Sequence, residues 1–501
     1  MVTTALLLAM SVAALEQTVV STAMPTIIAK LKGVDIYPWV FSAYLLAATV
    51  TTPLYGKMAD LIGRKRMLLF GLGLFSIGSI LSGCAQSMPM LIAMRVIQGL
   101  GAGALGPIVL TMIGDMYTLK QRARVQGLFS AVWGASSVIG PALGGILSDR
   151  LSWRWVFFVT VPFSAVSAWM LIRHVHEKLE NRRVLPIDWM GAALLAGGSI
   201  AILLAVLGGP GRRWEVSALL LCLAFVFLVL LAVQERRAAD PVLPLDLLAQ
   251  PTIAAAVAGS FLIGGLLFGI DTYIPLYVQG VRGGSAEVAG RMITPLFLAW
   301  SLSVAVAAKV VIRFGFRTTS MVGSSLIASG SLGLALSSRH PVWAGPIFVV
   351  SMIVIGLGMG PTALCYILGV QNSVDWSRRG VATGAMIFFR TIGGALCVGL
   401  LGAALGSVLT HQLAGAGAAD IDLAAALRPE THRDLTPERL KIVQAALGRG
   451  LQVIFLLIFA LAALGIFCSS RLTRGRVVQH GEPAPPTPVD DGLALAAATE
   501  P

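Results

Sequence analysis

The sequence predicts an all-α integral membrane protein, and three observations lead to that class. The chain has 501 residues and a mean hydropathy of +0.83. Hydrophobic residues make up 56% of it and charged residues only 12%, a balance unlike that of soluble globular chains. Apolar stretches of about 20 residues, the length that crosses a hydrocarbon core as a helix, recur from end to end. Because lipid offers no partner for open backbone groups, these stretches are expected to be helices.

About fourteen such spans can be placed along the chain. The first has Glu16 at its centre and neither a basic leader nor a small-residue processing site, so we interpret it as a retained helix. Beyond Arg471 the chain turns polar and proline-rich, which predicts a disordered tail. The predicted spans are 3–29, 37–57, 66–86, 89–114, 125–148, 153–173, 188–208, 215–234, 252–279, 287–312, 318–337, 343–370, 378–407 and 449–470.

Lys and Arg are concentrated in alternate loops, which predicts the orientation in the membrane. Arg64–Arg66, Lys120, Arg236 and Arg378 all fall in loops on one side. Because cytoplasmic loops carry the excess of basic residues, both termini are predicted to be cytoplasmic. The formal net charge of +13 is then a consequence of topology and does not indicate a nucleic-acid partner.

Two pairs of segments recur in the same order in the two halves of the chain. GLGAGALGPIVL from Gly99 is echoed by GLGMGPTALCYIL from Gly356, and IGPAL from Ile139 is echoed by IGGAL from Ile392. This order predicts two halves built from one repeat. The GxxxG spacing lets helix backbones approach closely, and an equally good interpretation is that these glycines only form packing faces.

Four short motifs resemble those of a known family. GKMADLIGRKRML (Gly56–Leu68) resembles the loop signature between the second and third helices of the major facilitator superfamily. The first-, fourth- and fifth-helix motifs of its fourteen-helix drug:proton antiporters are similar to LEQTVVSTAMPTI (Leu15–Ile27), LIAMRVIQGLGAG (Leu91–Gly103) and WGASSVIGPALGGIL (Trp133–Leu147). The chain departs from the family pattern twice. It has Glu16 where the family usually has Asp, and Leu61 where the family usually has Arg.

The resemblance implies two six-helix bundles with two additional helices between them. Thr436-Pro437-Glu438, in a long outer loop, is typical of a helix start. The short helix that it predicts would be either a lid over the outer mouth or a connector on the membrane surface. The predicted parts are an N-terminal bundle at 1–175, a linker with the two additional helices at 176–250, a C-terminal bundle at 251–470 with its outer loop at 408–448, and a tail at 471–501.

Few ionisable residues fall near the middle of the predicted spans, and they are Glu16, Arg95, Asp271 and Arg390. Such residues are costly in a membrane, so each is a functional candidate. Burial favours the neutral form of a carboxyl group, so the two acids could exchange protons as the site faces each side, and a bare carboxylate would attract a cationic substrate. Asp271 could instead be solvated at the outer end of its helix, and the two arginines could be structural. Gln98, in the fourth-helix motif, is grouped with these candidates for proton coupling and substrate binding.

The charged loop that begins at Gly56 predicts a latch on one state of a two-state transporter. Glycines permit close backbone approach at its ends, and Asp60 can pair with neighbouring arginines or with a helix end in the other bundle. For the basic members the alternative is that they only satisfy the positive-inside rule, to which an acid contributes little. The predicted members of the latch are Gly56, Asp60, Gly63, Arg64, Lys65, Asp115 and Arg124.

The fifth-helix motif contributes a proline and several glycines. The proline is expected to bend the helix, and the small neighbours are expected to admit a partner helix. In the family this motif marks proton-driven exporters, which is what the resemblance implies about the direction of transport. The residues are Gly134, Gly140, Pro141, Gly144 and Gly145.

Catalysis and metal binding find no support in the sequence. The G-x-x-x-x-G-K-[ST] loop of ATP-binding proteins does not occur, and the five cysteines are scattered singly without metal-ligand spacing. We therefore expect a protein that is not an enzyme, binds no metal and uses no cofactor, with the proton motive force as its energy source.

The predicted function is that of a proton-coupled antiporter exporting hydrophobic and cationic compounds from a bacterial cytoplasmic membrane by alternating access. Its expected partners are small-molecule substrates, protons and the lipid bilayer, and it is expected to be a monomer. The alternatives are a facilitator or importer of a defined metabolite, a lipid flippase, and a sensor that binds without transporting.

Overall fold

In the computed structural model the described part of the chain is almost entirely helical and contains no β-strand. The predicted tail beyond residue 473 and the side chains of Arg124 and Pro141 lie outside the described part. The structure describes residues 1–31, 36, 39–117, 119–175, 177, 188–207, 214–238, 241–243, 245–284, 286–337, 344–418, 421 and 436–473.

Long helices follow one another along the chain, interrupted by two short ones, α6 (Trp155–Phe158) and α10 (Leu245–Leu248). A π-helical turn, Tyr277–Val281, continues the helix Pro251–Leu276, and a 3₁₀ turn, Trp376–Arg378, precedes the helix Arg379–Gly415. The helices are α1 (Val2–Leu31), α2 (Trp39–Ile62), α3 (Arg64–Gly83), α4 (Met88–Met116), α5 (Leu119–Arg150), α6 (Trp155–Phe158), α7 (Thr160–His174), α8 (Trp189–Leu207), α9 (Trp214–Arg237), α10 (Leu245–Leu248), α11 (Pro251–Leu276), α12 (Ala286–Ser337), α13 (Ala344–Asn372), α14 (Arg379–Gly415) and α15 (Pro437–Ser470).

Ten helical stretches of the described chain are long and apolar enough to cross a membrane. One of them lies in α12, a run of 52 residues that is broken at Gly315, where φ is 80° and ψ is 173°. The predicted spans 287–312 and 318–337 are the two arms on either side of that break. The predicted class, an all-α multi-pass membrane protein, is confirmed, and the arrangement is consistent with fourteen spans.

The two halves use the same glycine contacts between corresponding helices. On α4, Gly99 packs against the backbone carbonyl of Tyr44 in α2 so closely that a Cβ atom would collide with it. On α13, Gly356 meets the carbonyl of Leu296 in the first arm of α12 in the same way. The echoed GLGxG segments are therefore helix-packing faces, as one of the two interpretations of the sequence proposed.

The second echoed pair also occupies equivalent places. Gly140 on α5 packs against the Thr18 side chain of α1, and Gly393 on α14 packs against the Phe261 carbonyl of α11. Because both pairs of segments join corresponding helices, the internal repeat of the sequence is a repeat of structure.

Two seams bring the halves together. Along the first, α2 crosses α14, and a Cβ atom on Gly56 would lie 2.7 Å from the Gly380 carbonyl oxygen and 3.4 Å from the Gly384 Cα. Along the second, α5 packs on the first arm of α12, where a Cβ atom on Gly134 would lie 3.1 Å from the Ser301 hydroxyl oxygen. Glycine at these positions lets helices of opposite halves pack closely, against a backbone at Gly56 and against a serine side chain at Gly134.

The additional helices α8 and α9 pack together on the α2–α14 seam. Glu235 of α9 is buried, accepts a hydrogen bond from the Leu243 amide at 3.0 Å, and interacts electrostatically with Lys57 of α2. A cavity of about 230 Å³ lies between α2 and α8. The apolar cluster that joins the pair to α14 consists of Leu195, Leu231, Val242, Phe388 and Ile392.

The last helix, α15, corrects one prediction. A separate short helix was expected near Thr436–Glu438, but Thr436 is the N-cap of a single helix that runs to Ser470. Val443 and Leu447 are buried together with Leu451 further along, so the first turns of α15 continue the apolar face of the last span. Since α14 also runs to Gly415, the connection between the two helices is shorter than the predicted loop 408–448.

A cluster of four buried hydroxyl groups lies inside the C-terminal half. The Ser469 hydroxyl of α15 lies 2.7 Å from those of Ser320 and Ser324 in the second arm of α12, and 2.9 Å from the Tyr366 hydroxyl of α13. Each is at most 1% exposed. Since buried polar groups need partners, this cluster stabilises one arrangement of three helices.

Candidate functional site

A buried ion pair joins α1 to α4. The Glu16 carboxylate is fully buried and pairs through Oε1 with Nη1 of Arg95, whose side chain is 1% exposed. The same guanidinium donates from Nη1 to Gln98 Oε1 at 2.7 Å and from Nε to the Val40 carbonyl at 3.0 Å. Its carbon lies 4.1 Å from the ring centroid of Tyr44. Three of the predicted coupling residues are therefore in one contact network.

The network continues away from Glu16 into two more helices. The Gln98 Nε2 group donates to the Ser79 hydroxyl of α3 at 3.2 Å, and that hydroxyl lies 3.0 Å from the Thr160 hydroxyl of α7. On the acid itself, Oε2 forms no regular hydrogen bond with the described residues, although the Tyr44 hydroxyl lies near enough to interact with the carboxylate. The carboxylate is therefore bound firmly through one oxygen, to Arg95, and only loosely through the other.

The two other predicted ionisable residues lie in the C-terminal half and are not part of that network. Asp271 on α11 is exposed and Arg390 on α14 is partly exposed, and neither forms an ion pair or side-chain hydrogen bond with the described residues. Within the described chain, no acid or carbonyl partner for Arg390 therefore supports the alternative that it is structural.

The predicted latch residue Asp60 reaches from α2 to the other half. Its carboxylate accepts hydrogen bonds from the backbone amides of Gly380, at 3.2 Å, and Val381, at 2.9 Å, in the first turn of α14. Such amides have no partner within their helix and favour an anion. A Cβ atom on Gly380 would lie 2.6 Å from Asp60 Oδ1, so the glycine makes room for the carboxylate.

Arg64, the first residue of α3, completes the contact between the halves. Its guanidinium pairs with Asp60 at 2.8 Å and with Asp115 of α4 at 3.0 Å. It also donates to the Trp376 carbonyl at 3.0 Å and lies 3.9 Å from the centroid of that ring. The arginine is 2% exposed, so these interactions are formed away from solvent, where they are strongest.

Two residues of the C-terminal half, which the sequence did not single out, extend the latch. Arg379 donates to the Gly114 carbonyl at 3.1 Å and lies 3.6 Å from Asp115, and Gln371 donates to the Leu110 carbonyl at 3.2 Å. In the sequence Arg379 is one more basic residue beside Arg378, and nothing marks Gln371 as a contact residue. With these bonds in place, the two halves are closed on the side of the α2–α3 loop.

Not every basic residue of the charged loop belongs to the latch. Lys65 contacts its own half, donating to the carbonyls of Ile172 and Val175 at the end of α7. Arg66 is exposed and forms no ion pair or hydrogen bond with the described residues, so nothing in the described structure makes it part of the latch. The remaining predicted member, Arg124, has a side chain outside the described part.

The fifth-helix motif contributes packing surfaces. Gly140 faces α1 and Gly134 faces α12, as described above, and Gly144 is buried. At Gly145, a Cβ atom would meet nothing within 4 Å, so this glycine is not required by a close contact in the described structure. The helix runs without interruption from Leu119 to Arg150.

Comparison with known proteins agrees with this architecture. The sequence profile of the Major Facilitator Superfamily matches residues 6–398. The chain belongs to the major facilitator superfamily. Within it, the chain is 36% identical over 412 residues to Multidrug resistance protein 3 of Bacillus subtilis (strain 168), a match that covers 81% of this chain and 80% of that one.

Two further members of the superfamily are similar to the chain. Multidrug transporter protein MdtP of Bacillus subtilis (strain 168) is 33% identical over 417 residues, covering 82% of this chain and 76% of that protein. Among solved structures, the proton:xylose symporter XylE superposes with a TM-score of 0.60 at 12% identity, covering 93% of this chain and 94% of XylE. At that identity the superposition speaks for the fold alone.

Proposed function

We propose that this superfamily member is a proton-coupled antiporter that exports hydrophobic and cationic small molecules by alternating access. The observation that carries the proposal is the buried Glu16–Arg95 pair, an acid and a base that depend on each other inside the membrane. An ionisable residue in such a place is costly and is retained where it has a function.

Proton binding at Glu16 would change the energy of the closed conformation. Once the carboxyl group is neutral, Arg95 has lost its counter-charge while it remains buried. Leaving one partner of a buried pair uncompensated costs about 3–5 kcal/mol, which is enough to shift a conformational equilibrium by two orders of magnitude or more, at about 1.4 kcal/mol for each factor of ten. The proton on Glu16 is thereby linked to the choice between conformations.

The latch supplies the second requirement, a bistable contact between halves. In the closed conformation Asp60 caps α14 of the opposite half, and Arg64 contacts the Trp376 carbonyl. These contacts have to break when that side opens, so they stabilise one of two alternating conformations. Opening on the opposite side would leave them intact.

An exposed acid in the C-terminal half supports a cationic substrate. Asp271 is exposed without an ion-pair partner among the described residues, so a cation can approach its carboxylate. The relatives named multidrug transporters are consistent with this class of substrate. Arg390, partly exposed in the same half of the chain, adds one positive charge, which favours compounds that place their cationic group toward Asp271 and away from the arginine.

The orientation follows from the distribution of Lys and Arg. We place the latch and both chain ends on the cytoplasmic side of a bacterial cytoplasmic membrane, because the basic loops lie on the side of the α2–α3 loop. A single chain contains both halves and both seams between them, so the proposed working unit is the monomer.

Transport of ethidium into everted membrane vesicles under an imposed pH gradient tests the proposal. The unaltered protein is compared with Glu16→Gln and Asp271→Asn, each checked for insertion. Gradient-dependent uptake by the unaltered protein is expected to vanish in the Glu16 variant, which cannot exchange the proton. The Asp271 variant is expected to keep uptake of neutral compounds and lose most uptake of cations.

Other outcomes would favour the alternative functions. Uptake that does not depend on the gradient would indicate a facilitator, and substrate binding without flux would indicate a sensor. If a correctly inserted protein moves no drug but moves lipid or a defined metabolite, the antiporter proposal is wrong while the fold stands.

A further inference from the structure

The start of α3 holds a carboxylate that comes from a distant part of the chain. Glu177, beyond the end of α7, accepts a hydrogen bond from the Arg64 amide through Oε1 at 2.8 Å and from the Lys65 amide through Oε2 at 3.0 Å. The first amides of a helix have no partner within the helix, and its positive end favours an anion. Glu177 therefore caps α3 with both of its oxygens.

Gly63 provides the space for this carboxylate. Its φ of +107° lies where only glycine is unstrained, and a Cβ atom there would lie 2.6 Å from Glu177 Oε2. Gly380 makes room for Asp60 in the same way at the start of α14. The protein thus uses the same device twice, once between halves at α14 and once within the N-terminal half at α3.

Lys65 makes the complementary contact in the opposite direction. Its ammonium group donates to the Val175 carbonyl at 2.6 Å and to the Ile172 carbonyl at 3.0 Å, at the C-terminal end of α7. A cation at a helix C-terminus satisfies carbonyls that lack a partner and interacts favourably with the helix dipole. The ends of α3 and α7 are therefore joined by two caps of opposite charge.

These caps fix the residue on which the latch depends. Arg64 donates its amide to Glu177 and extends its guanidinium to Asp60, Asp115 and the Trp376 carbonyl. We propose that Glu177 is a positioning residue of the latch, which keeps the first turn of α3 in register with α7 so that Arg64 meets the opposite half each time that side closes. The proposal rests on the proposed function only in assuming that the latch opens and closes.

Distances between nitroxide labels test the proposal without relying on transport. The labels are placed in a cysteine-depleted protein at Met116 and Asp375, which are exposed and lie on opposite halves beside the latch. We expect Glu177→Ala and Glu177→Gln to raise the long-distance, open population about tenfold, the change expected when a charged cap is lost. Arg66→Gln, which removes a nearby exposed charge, is the matched control and should leave the distribution unchanged.

A double-mutant cycle with Gly63→Ala separates positioning from general destabilisation. Part of the effect of the alanine is displacement of the carboxylate, so it should open the latch less in the Glu177→Ala background than in the unaltered one. Additive effects of the two substitutions would overturn the proposal. So would a lowered thermal midpoint with an unchanged distance distribution, because a merely structural cap would behave in that way.

The outcomes also separate this proposal from the antiporter proposal. If the unaltered protein opens and closes but moves no drug, the antiporter proposal fails and the role of Glu177 is still decided by the distances. If Glu177→Gln does not fold, Lys65→Met is used in its place, and hydrogen exchange is measured at the Arg64 and Lys65 amides of that variant. Faster exchange there together with a larger open population supports the proposal, and faster exchange with an unchanged population overturns it.

Discussion

Replacing Asp60 with Asn should open the latch, and the size of the effect can be worked from its contacts. The carboxylate accepts from two amides at the start of α14 and pairs with Arg64 at 2.8 Å. Hydrogen bonds to a charged group contribute about 1.5–3 kcal/mol, against about 0.5–1.5 kcal/mol for neutral ones. Loss of the favourable charge at a partly buried helix end costs up to about 2 kcal/mol. Since these terms overlap, we expect the closed state to lose about 2–3 kcal/mol, or about 30- to 150-fold in population.

The nitroxide pair at Met116 and Asp375 measures this change directly. The Asp60→Asn variant should show a predominantly open distribution under conditions where the unaltered protein is closed. Arg66→Gln again serves as the control, since Arg66 forms no ion pair with the described residues. A distribution in Asp60→Asn that matches the control would refute the reasoning, because it would show that the bonds across the seam do not determine which side is closed.

Three further substitutions test packing and the polar clusters. Gly356→Ala should lower the thermal midpoint and the folded yield in detergent, because its Cβ would meet a backbone carbonyl. Gly106→Ala, where a Cβ meets nothing within 4 Å, should lower neither. Equal thermal midpoints for the two variants would argue against the packing role of Gly356. Ser469→Ala leaves three buried hydroxyl groups without their common partner and should cost about 1–3 kcal/mol, measured as the free energy of unfolding in mixed micelles. Glu235→Gln removes the acid that faces Lys57 and should loosen α9 from the seam, seen as faster hydrogen exchange in α8 and α9 with no change in α4.

Much of the fold was predictable because its causes are local. The length of each apolar stretch specifies a membrane span, and the glycines at positions 63 and 315 mark breaks that only their backbone conformation allows. In α12 the break between the two arms is a single residue, Gly315. The length of α15 was missed for a related reason. Val443 and Leu447 lie on the same buried face as Leu451 in the span that follows, so no local break in the sequence marks where one segment ends and the next begins.

The candidate site was predictable where charge stands out against lipid and not where it lies among other loop charges. Glu16 and Arg95 are conspicuous in apolar helices, and they are in contact. Within the charged loop, Lys65 and Arg66 look alike in the sequence, yet one caps α7 and the other faces solvent. Lys65 and Arg66 differ in the direction in which their side chains leave α3, and the composition of the loop does not specify that direction. Glu177 is 113 positions from Arg64 in the chain, so its role could be seen only once the chain was folded.

The position of α8 and α9 has a consequence for how a fat-soluble compound reaches the interior. Under the proposed function, a compound dissolved in the leaflet would approach the interface between the two halves sideways, through the gap between helices, rather than from water. On the α2–α14 side that path is covered, because α8 lies against both helices and most of α9 faces lipid. The Phe388 and Ile392 side chains that anchor α8 would have to separate from Leu195 before the gap could widen. Under the proposed function, lateral access from the membrane on this side would therefore depend on a helix pair outside the two repeats.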